Sequence, residues 1–187
     1  MRKAILLHGW WGNSKNNWFP WTEQELKKRG FEVFIPNLPH SYHPVLSEQL
    51  ENISDIIKDF QSGDIIIWHS LGCQLALHAI HTYKISWVKV IFVWPSYPGT
   101  TEEIWREIAW DSYDKLAEYN NAELEFQDFW NEYIICLSET DTYINLEHAE
   151  QYYCWLEDVE LLEFKDKWHF NNAAKVFELP EILEYFE

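Results

Sequence analysis

Short apolar runs recur along the whole chain and alternate with stretches whose apolar residues follow a helical spacing. Most of these runs are continuous, without the alternation of a half-exposed sheet, which is typical of strands buried on both faces of a parallel sheet. They predict six strands, at residues 4–7, 31–35, 65–68, 88–94, 133–137 and 159–164.

Between the runs, apolar residues three and four positions apart predict amphipathic helices. Strands and helices alternate, which predicts a doubly wound α/β fold: a mainly parallel sheet of about six strands with helices on both faces. We expect the strand order 2-1-3-4-5-6, with the topological switch between strands 1 and 3. Gly30 is a typical residue for the end of the first helix. The five predicted helices are residues 18–29, 47–60, 71–83, 146–156 and 173–186.

The stretch 95–130 is too long for a single crossover, so we predict that it contains a helical insertion of one or two helices. No repeat, linker or change of composition divides the 187 residues. We therefore expect one domain over residues 1–187.

The start of the chain and its cysteines bear on the compartment. The apolar run 4–7 after the basic residues Arg2 and Lys3 is shorter than the core of a signal peptide, and no apolar stretch approaches transmembrane length. The three cysteines have neither a metal-binding spacing nor an even number. We expect a cytoplasmic protein with reduced thiols and without a metal. The cysteines are Cys73, Cys136 and Cys154.

Composition adds a strong charge and an unusual balance of residues. The formal net charge is −17, which repels nucleic acids and anionic membranes, so neither is expected as a partner. There are 12 tryptophans but only 6 glycines, where the usual share of about 7% would give roughly 13 glycines. Tryptophan therefore stands where other chains have smaller residues.

A candidate nucleophile follows the third predicted strand. The chain there reads Trp68-His69-Ser70-Leu71-Gly72, and a helical pattern begins at once. A serine on such a sharp strand-to-helix turn, a nucleophile elbow, presents its hydroxyl above the sheet. The alternative is a serine that only forms a turn or caps the helix.

Two further strand ends supply the groups that a nucleophilic serine needs. Asp141 follows the fifth strand and His169 follows the sixth, so both should lie at the same edge of the sheet as Ser70. The order serine, acid, histidine is that of α/β-hydrolases, in which the histidine is the base and the acid orients it. Glu139 competes with Asp141, and a capping or packing role is the alternative for His169.

The loop after the first strand contains His8-Gly9-Trp10 and should lie beside the candidate elbow. A His-Gly pair in this position turns the chain sharply and offers a backbone N–H to an oxyanion. We therefore predict the backbone N–H groups of Trp10 and Leu71 as oxyanion donors. The alternative is a plain turn that ends the strand.

Together these residues resemble the small serine hydrolases of the retinoblastoma-binding-protein-nine type over essentially the whole chain. The resemblance implies a compact, minimal α/β-hydrolase without a large cap. It also implies a triad of Ser70, Asp141 and His169 that acts on small esters or amides. Some relatives of this type are discussed mainly as binding partners of other proteins. The matching motifs are residues 17–21, 37–39, 69–72, 138–141, 169–170 and 179–180.

The sequence departs from that family beside two of the triad positions. Trp68 replaces a Gly or Ala before the serine, and Trp168 replaces the Gly that usually precedes the histidine. We predict that both tryptophans lie near the triad and that, together with Trp11, they form the substrate pocket.

Three functions compete. The leading hypothesis is a carboxylesterase-like serine hydrolase that cleaves small acyl esters or amides through an acyl-enzyme on Ser70. The second is a catalytically weak hydrolase-fold protein that binds a protein partner, because tryptophan and tyrosine are enriched in binding hot spots. The third, a nucleotide-binding module, is disfavoured because the chain lacks the glycine-rich and lysine-containing phosphate motifs. No cofactor is therefore expected, and the oligomeric state is left open.

Overall fold

The computed structural model describes residues 1–96, 117–119, 130–142, 144–153, 156 and 159–187. The predicted helical insertion at 95–130 lies outside the described residues, apart from its two ends and a short 3-10 helix at Ala117–Tyr119. The expectation of a single domain over residues 1–187 stays a prediction.

The described strands form one parallel sheet in the order β2-β1-β3-β4-β5-β6, so the predicted fold class and strand order are confirmed. The central strand β3 is buried at every position, which explains its continuous apolar sequence. The edge strand β6 has no buried position and contains two exposed acidic residues, Glu160 and Glu163, so its apolar run is the weakest of the six. The strands are β1 (Lys3–Leu7), β2 (Glu32–Phe34), β3 (Ile65–His69), β4 (Lys89–Val93), β5 (Glu132–Ser138) and β6 (Val159–Phe164).

The α-helices of the described part connect these strands. Pro20 lies in the first turn of α1, where its missing N–H is not needed, and Gly30 follows the end of that helix with a φ of +83°. Because crossovers between parallel strands are right-handed as a rule, we expect α1 on the sheet face opposite α2, α3 and α4. None of the described helices is long and apolar enough to cross a lipid bilayer. The helices are α1 (Phe19–Lys28), α2 (Leu46–Ile57), α3 (Gly72–Tyr83) and α4 (Leu146–Tyr153).

The predicted last helix, residues 173–186, is wrong as an α-helix. The segment forms two short 3-10 helices, Asn172–Ala174 and Pro180–Phe186, with an irregular stretch between them. Lys175 has a left-handed φ of +58°, which ends the first one. Pro180 then lacks the N–H that a continuous helix would need and would clash with the preceding turn.

The carboxyl ends of the strands bring the candidate residues to one edge of the sheet. β3 runs directly into Ser70, Asp141 lies just beyond β5, and His169 lies on the loop after β6. The Glu139 N–H donates to the Phe164 carbonyl at 2.8 Å, which ties the loops after β5 and β6 together. Parallel strands with a common direction therefore supply all three groups from separate loops.

Candidate active site

Ser70 lies on a sharp, strained turn between β3 and α3. Its φ is +56°, a left-handed value that non-glycine residues rarely adopt. Backbone hydrogen bonds hold the turn: the Ser70 N–H donates to the Val93 carbonyl at 3.1 Å, and the Cys73 N–H donates to the Ser70 carbonyl at 2.9 Å. This is the geometry expected of a nucleophile elbow.

Two glycines let the end of β1 press against this turn. A Cβ on Gly9 would lie 2.9 Å from the Ser70 Cβ and 2.8 Å from the His69 carbonyl oxygen. A Cβ on Gly72 would lie 2.9 Å from the His8 carbonyl oxygen. Because ordinary contacts begin at 3.4 Å, only glycine allows these backbones to meet at both places.

The three side chains predicted as a triad lie in one chain of hydrogen bonds. His169 Nε2 is 3.0 Å from Ser70 Oγ, and His169 Nδ1 is 2.7 Å from Asp141 Oδ2. A carboxylate only accepts hydrogen bonds, so Nδ1 carries the proton and Nε2 is left to accept from the serine hydroxyl. This tautomer is the one that general-base catalysis requires.

The carboxylate that meets the His169 imidazole is that of Asp141 and not that of its competitor Glu139. The Asp141 side chain is fully buried, and its second oxygen, Oδ1, accepts from the Ile144 N–H at 3.0 Å. Glu139 lies in an exposed turn. The burial and double anchoring of Asp141 hold its carboxylate against the imidazole.

The two predicted oxyanion donors meet at a small cavity. Trp10 and Leu71 line it together with His8 and Gly9, and its volume is about 10 Å³, room for about one water-sized atom. In the described part of the chain, no backbone carbonyl accepts from the Leu71 N–H. A cavity of this size between two loops suits a single carbonyl oxygen, and the oxyanion assignment stays a prediction.

His8 supports this loop, a role that the sequence analysis missed. Its Nε2 accepts from the Leu38 N–H at 2.9 Å, so the proton lies on Nδ1, which donates to the Gly9 carbonyl at 2.9 Å. Burial lowers the pKa of His8 and keeps the ring neutral. The signal was present in the sequence, because Leu38 belongs to the Asn-Leu-Pro motif that follows β2.

The three tryptophans predicted for the pocket lie in different environments. Trp168 is half-buried, with its ring 6.2 Å from that of His169 and its Nε1 donating to Thr142 Oγ1 at 3.2 Å. Trp11 is 50% exposed and stacks on Trp10 at 4.4 Å. Trp68 is fully buried in the core, so its indole offers no surface to a substrate, and this argues against its place in the pocket.

Several tryptophans hold backbone conformations that usually belong to glycine. In the described part of the chain, four of the tryptophans therefore stand at turns that glycine would adopt without strain, and two of these turns lie at the candidate site, at Trp11 and Trp168. Each such residue costs roughly 1–3 kcal/mol of strain that the surrounding fold must offset. Positive φ values occur at Trp11 (58°), Trp87 (66°), Trp94 (53°) and Trp168 (44°).

Among the described residues, no cluster of three or more metal-ligating side chains occurs. The hydrogen-bonded series Ser70, His169 and Asp141 has the geometry expected of a nucleophile, a base and an orienting acid.

Comparison with known protein families shows the family to which the chain belongs. A family model described as serine hydrolase matches residues 4–187. The chain belongs to the serine hydrolase family. This confirms the resemblance to small serine hydrolases.

A sequence relative and several solved structures are similar to this serine hydrolase. YdeN of Bacillus subtilis (strain 168), which is named provisionally as a hydrolase, is 30% identical over 84 residues, a match that spans 45% of this chain and only 44% of YdeN. The crystal structure of the B. subtilis ydeN gene product has a TM-score of 0.81 at 20% identity and covers 99% of this chain and 96% of that one.

Two more distant structures share the fold. Alpha/beta hydrolase domain-containing protein 10 from mouse has a TM-score of 0.70 at 15% identity, covering 92% of this chain and 84% of that one. An esterase from Exiguobacterium antarcticum has a TM-score of 0.68 at 14% identity, covering 88% and 84%.

Proposed function

We propose that this serine hydrolase cleaves small carboxylic esters through an acyl-enzyme on Ser70. The observation that carries the proposal is the chain of hydrogen bonds from Ser70 Oγ through His169 to the buried Asp141, with distances of 3.0 and 2.7 Å. Amides with good leaving groups are the secondary substrate class.

In the first half of the reaction, Ser70 Oγ attacks the ester carbonyl carbon while His169 Nε2 takes the hydroxyl proton. The carbonyl oxygen becomes an oxyanion and turns toward the backbone N–H groups of Leu71 and Trp10. When the tetrahedral intermediate collapses, the bond to the leaving oxygen breaks and His169 returns its proton to the departing alcohol.

In the second half, water attacks the acyl-enzyme by the same route. His169 takes a proton from the water, and a second tetrahedral intermediate forms, whose oxyanion again faces the backbone N–H groups of Leu71 and Trp10. Its collapse returns the proton to Ser70 Oγ and releases the carboxylic acid. Asp141 stays ionised throughout and stabilises the imidazolium that forms twice in each cycle.

The protein's charge favours neutral or cationic substrates. A net charge of −17 repels anionic esters and helps to expel the carboxylate product, although salt screens this effect over about 10 Å. The half-buried Trp168 beside His169 limits the space for the acyl group, which is why we propose small substrates. A cytoplasmic location and the absence of nucleic-acid and membrane partners belong to the same proposal.

Labelling with a fluorophosphonate probe tests the nucleophile directly. We expect one covalent label per chain on Ser70 and none in Ser70→Ala, with both proteins shown to be folded by thermal unfolding. Absence of a label in the folded wild type, or equal labelling of the variant, would reject the proposal. Turnover of a panel of aryl esters with increasing acyl length then defines the substrate range.

Binding to a protein partner is the second candidate function. Trp11 and Tyr42 are 50% and 65% exposed with their rings 6.5 Å apart, and exposed aromatic pairs of this kind are enriched in binding surfaces. The two candidates are separated by His169→Ala. Ester turnover that disappears in this variant excludes a purely binding role, whereas the absence of turnover in the wild type favours it.

A further inference from the structure

The loop that carries His169 is strained on both sides of the histidine. Trp168 has a φ of +44° and Phe170 a φ of +50°, so two non-glycine residues with left-handed backbones flank the candidate base. Each such residue costs roughly 1–3 kcal/mol and persists only where the surrounding structure holds it. Something outside the loop must therefore keep His169 in place.

Two buried side chains from other parts of the fold hold this loop. They donate hydrogen bonds to two consecutive backbone carbonyls of the loop. His69 Nε2 is 2.9 Å from the His169 carbonyl oxygen, and Trp18 Nε1 donates to the Phe170 carbonyl at 3.1 Å. His69 is the residue before the candidate nucleophile, and Trp18 immediately precedes α1. Both side chains are buried, so these hydrogen bonds are shielded from competition by water.

We propose that His69 is a positioning residue for the His169 base and that, with Trp18, it clamps the strained loop so that the imidazole stays between Ser70 and Asp141. The inference rests on the proposed function, because a fixed position of His169 matters only if His169 is the catalytic base. It also gives a role to the residue before the serine, to which the sequence analysis assigned none.

The protonation of His69 follows from its partner. A carbonyl oxygen only accepts, so His69 Nε2 must carry a proton and donate it. Burial, together with the nearby His169, lowers the pKa of His69 to about 3, which keeps the ring neutral at working pH. A charged donor 5.2 Å from the His169 ring would oppose the imidazolium that forms during the reaction, and a neutral histidine avoids that repulsion.

A second connection joins the same two segments at the surface. The Asn17 N–H donates to Asn172 Oδ1 at 2.8 Å, and the Asn172 N–H donates to Asn17 Oδ1 at 3.1 Å. This reciprocal pair ties the residue before Trp18 to the end of the base loop. The Asn-Trp motif that precedes α1, which the catalytic proposal leaves without a role, thus belongs to the clamp.

The clamp is tested by comparing His69→Phe, which keeps a ring but removes the donor, with His69→Gln, whose side-chain amide keeps an N–H donor. Turnover of an aryl ester is divided by the number of active sites titrated with a fluorophosphonate probe. We expect His69→Phe to lose about 10- to 100-fold in kcat per titrated site with little change in KM, because small displacements of a catalytic group have effects of this size. His69→Gln should recover most of the loss.

A residue that acts only through packing would lower the melting temperature and the titratable fraction but not kcat per titrated site. Equal kcat per site in His69→Phe and the wild type, or equal losses in the Phe and Gln variants, would overturn the proposal. Should His69→Phe fail to fold, Trp18→Phe removes the other donor and is measured in the same way. Unchanged kcat per site in that variant would then overturn it.

Amide hydrogen exchange separates this proposal from the proposed function. The Phe170 N–H, which donates to the Lys167 carbonyl at 2.9 Å, should exchange faster in His69→Phe than in the wild type or His69→Gln. This measurement needs no substrate. If the wild type hydrolyses no ester, the proposed function fails, while unchanged exchange of the Phe170 amide in His69→Phe overturns the clamp by itself.

Discussion

Replacing Gly9 by alanine should displace the nucleophile turn. The new Cβ would lie 2.8 Å from the His69 carbonyl oxygen and 2.9 Å from the Ser70 Cβ, whereas ordinary contacts begin at 3.4 Å. The loop after β1 and the turn must therefore separate by about 0.5–0.6 Å, the difference between these distances. Neither backbone can yield without moving Ser70 away from His169 or away from the oxyanion cavity.

The size of the effect follows from that displacement. A misplacement of 1 Å costs about 100-fold in rate, so half of it should cost about 10-fold in kcat per titrated site. Overpacking of this kind also costs about 1–3 kcal/mol of stability. For a chain of this length, that loss lowers the melting temperature by about 2–12 °C.

Gly63→Ala is the matched control. Gly63 has a φ of +89°, and its nearest neighbour would be the Arg2 side chain at 3.5 Å, so alanine there is strained but does not collide. The strain should cost roughly 1–2 kcal/mol without any change in kcat per titrated site. The measurement pairs thermal unfolding with ester turnover in both variants. A Gly9→Ala protein as active per site as Gly63→Ala would refute the close-approach argument.

Three further predictions concern the acid, the buried histidine and the pocket. Asp141→Asn should lower kcat by roughly 10⁴-fold because the amide favours the wrong imidazole tautomer, whereas Glu139→Gln should leave it unchanged; comparable losses in the two would contradict the assignment. His69 has its folded-state pKa lowered to about 3 from 6.5, so only the unfolded chain takes up its proton between these values, and stability should fall as the pH drops below 6.5. The free energy of unfolding should be about 2 kcal/mol lower at pH 5 than above pH 6.5. Urea unfolding should show that this free energy depends less on pH in His69→Gln than in the wild type. Trp168→Gly should extend the range of acyl lengths accepted in an ester panel, and an unchanged range would mean that the indole only packs.

The strands and the order of the candidate site residues were predictable because they depend on local sequence. Continuous apolar runs mark buried parallel strands, and parallel strands necessarily end at the same edge of the sheet. Ser70, Asp141 and His169 each follow such a run, so their approach at one sheet edge was predictable, whereas the distances of 3.0 and 2.7 Å between them depend on how the loops pack.

The end of the chain was mispredicted for a reason that is also local. Val176, Leu179 and Ile182 are buried and three positions apart, a spacing that suits one face of an α-helix and equally the three-residue turn of a 3-10 helix. The left-handed backbone of Lys175 and the ring of Pro180 decide between the α-helix and the 3-10 helix. The spacing of apolar residues contains no information about either of these two features.

The sequence by itself determined the α/β class, the strand order and the three groups that line up at the sheet edge, because burial and chain direction follow from apolar patterns. The tertiary structure alone decided that tryptophan occupies left-handed turns such as Trp168, and that the neutral rings of His8 and His69 hold the loops around the site. These features depend on contacts between residues far apart in the chain, whose energies offset the local strain. No local pattern encodes them.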